Sequence, residues 1–129
     1  MLLKALPFAL SYLLIPLVAI GSVLGGWWIA AVFLWGWIAT SVIDRIIGLD
    51  TGNMDPKTQD SVLFWHKMVT WGWVPLQFAL MIFVFWQVGQ GHLGTWEQVA
   101  VAASLGVATG GIGITFAHEM VHQRSKWER

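Results

Sequence analysis

ALPFALSYLLIPLVAIGSVLGGWWIAAVFLWGWIATSVI, residues 5–43, carries no charged side chain between Lys4 and Asp44. As one helix these 39 residues would be about 58 Å long at a rise of 1.5 Å each. That is nearly twice the ~30 Å hydrocarbon thickness of a bilayer. Gly25-Gly26 falls near the middle, so the stretch reads as two spans, residues 5–24 and 27–43, joined by a tight turn. Two more charge-free runs follow, residues 68–96 and 98–118. Each is long enough for the ~20 apolar residues that a spanning helix needs, and we place the third span at 68–88 and the fourth at 99–117. The runs do not alternate apolar and polar residues, which excludes a transmembrane barrel pattern. Backbone groups in lipid must bond within their own segment, so the expectation is an all-α integral membrane unit of four helices. No repeat or linker divides it, and residues 1–129 read as a single unit with a polar loop at 44–67.

Composition supports this reading. Of 129 residues 57% are hydrophobic and only 11% charged, and the mean hydropathy is +0.65. An average soluble domain is about 25% charged. A formal net charge of zero with no basic stripe argues against a nucleic-acid partner. The absence of cysteine excludes disulfides, thiol nucleophiles and thiolate metal sites within the chain. Ten tryptophans and fourteen glycines suit membrane interfaces and close helix packing. The first apolar run is too long for a signal-peptide core and no small-residue cleavage site follows it. Pro7 belongs to a first turn, where proline is tolerated, whereas Pro16 and Pro75 are expected to kink their spans.

Orientation follows from the cations. With four spans both termini share one side, and that side holds Lys4, Arg45, Lys57, Lys67, Arg124, Lys126 and Arg129. The positive-inside rule makes it cytoplasmic. His92 then lies on the far side and reads as an exposed loop residue. His66, at the cytoplasmic entry of the third span, reads as an interfacial residue or as a partner of the histidine motif that follows.

The remaining histidines form His118-Glu119-Met120-Val121-His122. Residues four apart share one helical face, one turn up, so both imidazoles reach one metal ion or a close metal pair. His-Glu-x-x-His is a metal-binding pattern, and here it sits where the fourth span leaves the lipid. Two chemistries use it. In a zinc protease the histidines bind zinc and Glu119 activates water. In a membrane di-iron oxygenase, histidine clusters from several segments hold two irons. Imidazole suits both metals. A third reading is a non-catalytic packing module, supported by the small-residue run Gly106-Val-Ala-Thr-Gly-Gly-Ile-Gly113.

Residues 111–129, GIGITFAHEMVHQRSKWER, resemble the first histidine box of the membrane alkane 1-monooxygenases. That family shows a small-residue segment, then Ala-His-Glu-Leu-x-His-Lys. An acidic residue and Arg follow six and seven positions after the second histidine, where Glu128 and Arg129 stand here. DRIIGLDTGN at 44–53 is similar to the family's loop after its second span. The order of two spans, acidic loop, two spans and box also matches. The resemblance implies a histidine-bound non-haem centre of two irons on the cytoplasmic face of a bacterial inner membrane, in a fold of about six helices. It implies hydroxylation of alkanes or similar hydrocarbons at a terminal carbon, with O2 and with electrons from rubredoxin. It assigns His118 and His122 as iron ligands and Glu119 to a supporting role beside them. Gln123 replaces the family's Lys and Val121 its frequent Gly, which leaves the subfamily and substrate open; xylene-type monooxygenases are close relatives. The family's later histidine boxes are absent from these residues, so the reading expects the N-terminal part of such an enzyme, inactive by itself.

Overall fold

The structure is a computed structural model, and it describes residues 9–47 and 64–121. Most of the loop at 44–67, His122, Gln123, Glu128 and Arg129 lie outside the described residues, as do the side chains of His66 and Glu119. Every described element is helical. The first rod is a 3-10 turn, Leu10–Leu13, running into α1, Leu14–Leu24. The second is α2, Trp27–Phe33, a π-helical turn, Leu34–Ala39, and α3, Thr40–Ile47. The third is α4, Phe64–Gly89. The fourth is α5, Thr95–Gly106, a second π-helical turn, Val107–Gly113, and α6, Ile114–Val121.

Among the described residues two segments are long and apolar enough to cross a membrane, Lys67–Gly89 with 23 residues and Thr95–His118 with 24. Leu10–Leu24 and Trp27–Ile38 are shorter apolar helices. The rods end where the sequence supplies turn chemistry. Gly25 and Gly26 adopt φ of 65° and 54°, left-handed values that residues with a Cβ rarely tolerate. The Gly25 amide donates to Gly21 O at 2.9 Å, and those of Trp28 and Ile29 donate to Gly25 O and Gly26 O at 3.2 Å. The chain thus reverses with its backbone groups bonded. α1 and α2 pack closely as a result. A Cβ on Gly21 would stand 3.2 Å from the Ile29 Cα, the contact that a small residue at a helix crossing permits.

Pro75 lies inside α4, and the helix runs through it unbroken. The fourth helix begins at Thr95, four residues before the expected start of its span, because the Glu97 carboxylate accepts the Gly94 amide at 2.8 Å and caps the first turn. The second rod continues to Ile47, past the expected end of its span.

α1 packs against α2, α4 and α5, and α4 packs against α5, the second π turn and α6. The core joins Leu14 and Val18 of α1, Ile29 and Val32 of α2, Trp73, Leu80 and Val84 of α4, and Val101, Leu105 and Phe116 of the fourth rod. Ser22 and Ser104 are fully buried, while Trp27, Phe78, Ile82, Phe85 and Trp96 face outward. Large apolar side chains outside and small residues at the contacts are the arrangement expected in lipid, where close backbone approach, not the hydrophobic effect, holds helices together. The small hydroxyls bond backward along their own helices: Ser22 to Ala19 O at 2.8 Å, Ser104 to Ala100 O at 2.9 Å and Thr115 to Gly111 O at 2.7 Å. Each is satisfied without water.

Candidate metal site

α6 carries His118, the first histidine of the motif, near its end. Phe116 is buried, and its ring meets Trp73 edge-on at 5.7 Å. Trp73 in turn meets Tyr12 edge-on at 5.4 Å, and the Tyr12 hydroxyl donates to Val69 O. This aromatic column sets the rotation of α6 against α4 and the 3-10 turn of the first rod. Two residues along an α-helix turn the side chain by about 200°. His118 therefore falls on the side of α6 turned away from Phe116, and it is exposed. Ile114, one turn earlier, is exposed as well, at 66%. The same open face continues down the rod through Gly111, Gly110, Gly106 and Ala102. A Cβ placed on Gly106, Gly110 or Gly111 would meet nothing within 4 Å among the described residues.

The helix runs on to Val121, one residue short of His122. His122 lies outside the described residues. The imidazole of His118 is a donor of the type that zinc or iron takes. Among the described residues no group of three His, Cys, Asp or Glu side chains comes together. His118 is the described donor of this motif, and its outward aspect suits a metal whose other ligands come from outside the described side chains.

The far ends of the rods hold contacts that the sequence reading passed over. The Glu97 carboxylate joins both reversals: Oε1 accepts the Gly26 amide at 2.7 Å and Oε2 the Gly94 amide at 2.8 Å. His92 is exposed, as expected, yet its Nε2 lies 3.1 Å from Ser22 O, so it is tied to α1. The acid three residues after Gly94 was a legible capping signal. Its reach to Gly26, 71 positions away, was not. Within the bundle, Gln77 Nε2 donates to Thr109 Oγ1 at 2.5 Å, another pairing that no local pattern announces.

Sequence comparison identifies related proteins. The chain is 28% identical over 110 residues to alkane 1-monooxygenase 1 of Alcanivorax borkumensis, a match covering 81% of this chain and 26% of that protein. It is 27% identical over 90 residues to the alkane 1-monooxygenase of Pseudomonas putida, covering 68% and 22%. The chain is similar to the alkane 1-monooxygenases. A third such protein, alkane 1-monooxygenase 2 of Pseudomonas aeruginosa, is 25% identical over 108 residues, covering 74% of this chain and 28% of the relative. The chain thus spans about a quarter of the length of the alkane 1-monooxygenases it matches. No family model matches the chain, and no solved structure matches it.

Proposed function

We propose that these residues form part of a membrane-bound non-haem iron monooxygenase that hydroxylates alkanes or similar hydrocarbons at a terminal carbon, using O2 and electrons delivered by rubredoxin. The observation that carries this reading is the similarity to three alkane 1-monooxygenases over 68–81% of the chain. The four rods act as four spans of a larger bundle of about six helices in a bacterial inner membrane. The termini and the histidine motif face the cytoplasm, where a soluble electron carrier has access. The outward face of α6 and the open glycines before it, Gly106, Gly110 and Gly111, support a bundle that continues beyond these rods.

His118 and His122 are the proposed iron ligands, each through one imidazole nitrogen, and the remaining ligands come from outside these 129 residues. Glu119 orients a ligating imidazole by accepting its second N–H, the usual work of a carboxylate beside a metal-bound histidine. When bound, iron supplies the activation of dioxygen. The chain's own contribution is to hold two imidazoles at helical spacing at the membrane boundary, on a helix whose rotation Phe116 and Trp73 fix.

The test uses membranes from cells expressing the natural gene that encodes these residues, with iron, rubredoxin, its reductase and octane. The expected product is 1-octanol. His118→Ala and His122→Ala are each expected to abolish it and to lower bound iron, while His92→Ala does neither. Full iron occupancy and normal turnover in His118→Ala would overturn the ligand assignment. Bound zinc with peptide cleavage would replace the reading with a protease.

A further inference from the structure

Three buried side-chain polar atoms have no hydrogen-bond partner among the described residues: Trp35 Nε1, Trp73 Nε1 and Gln77 Oε1. Two of them belong together. Trp73 and Gln77 stand four apart on α4 and so share one face, one turn from each other. Both face the second π turn. Gln77 Nε2 donates to Thr109 Oγ1 at 2.5 Å, and Trp73 Nε1 lies 3.4 Å from where a Cβ on Gly113 would stand. Thr109 and Gly113 are themselves four residues apart. The pairs 73 with 113 and 77 with 109 keep one antiparallel register.

The hydrogen-bond network fixes which amide atom of Gln77 is left over. Thr109 Oγ1 donates its single proton to Leu105 O at 2.8 Å, so towards Gln77 it acts as acceptor, and the Gln77 NH2 group must face it. Oε1 is therefore the end that lacks a partner. Trp73 is 1% exposed and Gln77 7%. A buried polar atom left without a partner carries a desolvation cost that no bond repays, and a larger one where lipid and not water surrounds the bundle. The two atoms are complementary, one N–H donor and one carbonyl acceptor. Gly113 leaves room beside the indole nitrogen that any side chain would occupy. A π-helical turn beside such a pair is the kind of distortion that collects at functional sites.

We propose that Trp73 and Gln77 form a binding site for a single hydroxyl group, whose oxygen accepts the Trp73 indole N–H and whose proton is donated to Gln77 Oε1. Two sources share this chemistry. One is a water molecule held inside the bundle. The other is a primary aliphatic alcohol whose chain lies in the apolar groove, about 380 Å³, that α4 and α5 form between Val84, Phe85, Ala102, Leu105 and Thr109. Thr109, the residue that bonds the Gln77 amide, is among the residues that line the groove. The site does not depend on the monooxygenase reading.

The experiment reads the Trp73 indole proton by NMR in the full chain, labelled with 15N-tryptophan and embedded in nanodiscs of deuterated lipid. Its resonance is the one that disappears in Trp73→Phe. Without additive, a cross peak from the indole proton to a bound water identifies water as the source. On titration with 1-octanol, a saturable downfield shift and a cross peak to the carbinol CH2 identify the alcohol. Octane, which has no hydroxyl, is expected to cause no shift. Gln77→Leu, which removes the acceptor and leaves Trp73 in place, is expected to lose either cross peak while the other indole resonances stay where they are. If that variant does not fold, the two wild-type arms decide alone. An indole proton with no hydroxyl neighbour in either arm overturns the proposal.

Discussion

Phe116 and His118 show how much two positions on one helix can separate. Phe116 locks against Trp73 and is buried, while His118 stands on the open side of α6. Glu97 makes the complementary case at the other end of the rods. One carboxylate accepts the amides of Gly26 and Gly94, so it fastens the α1–α2 reversal to the start of α5. Ionised acceptors make stronger bonds than neutral ones. In Glu97→Gln the amide side chain keeps the shape but loses the charge and one of the two acceptors, and Glu97→Ala loses both acceptors. Backbone hydrogen exchange at Gly26 and Gly94 is expected to quicken in the first variant and more in the second. Unchanged exchange at both amides would show that the carboxylate does not hold the two turns together.

Among the elements, the α1–α2 pair is the most tightly specified. The Gly25-Gly26 reversal and the bare surface of Gly21 bring the backbones together, and the nearest atom to a Cβ on Gly21 is the Ile29 Cα at 3.2 Å. Backbone cannot swing aside as a long side chain does. Gly21→Val is therefore expected to push the helices apart and to destabilise the chain by about 1–3 kcal/mol, the usual cost of overpacking a close contact. Gly89→Ala at the end of α4, where nothing lies within 4 Å of the added atom, is expected to change stability far less. Steric trapping or detergent unfolding of the two variants checks this, and equal midpoints would refute it. The π turns at Leu34–Ala39 and Val107–Gly113 belong to the same scale. Apolar length announced the second and fourth rods, but it carries no signal for a local change of helical period.

At the scale of the whole molecule the proposal makes two predictions. The chain has no cysteine, so each introduced thiol reports one position. A membrane-impermeant maleimide added to intact cells is expected to label His92→Cys and to spare Lys57→Cys and His118→Cys. Strong external labelling at position 57 or 118 would invert or break the four-span topology. The second prediction concerns residues 1–129 expressed by themselves: given iron, rubredoxin, its reductase and octane, they are expected to form no octanol. A catalytic zinc usually takes three protein ligands and a pair of irons needs more, whereas this motif supplies two histidines, and the described residues hold no cluster of three donors. Octanol formation at a rate comparable with a complete alkane 1-monooxygenase would show that the first histidine pair suffices.

The amino-acid order alone determined that the described chain is helical and apolar, that it reverses at Gly25-Gly26, and that His118 lies at a helix end. These are local properties, set by the length of charge-free runs, by glycines that tolerate positive φ and by i, i+4 spacing. The likeness to alkane 1-monooxygenases was also legible, in residues 111–129 and 44–53, because each stretch is a contiguous pattern. Only the tertiary structure decided the rest. The Phe116–Trp73–Tyr12 column, the clamp of Glu97 on Gly26, the link from His92 to Ser22 and the pairing of Gln77 with Thr109 join residues 32 to 71 positions apart across neighbouring rods. Such contacts depend on how each helix is rotated and how far it slides against its neighbour, and hydropathy, which counts residues without regard to azimuth, holds no record of either.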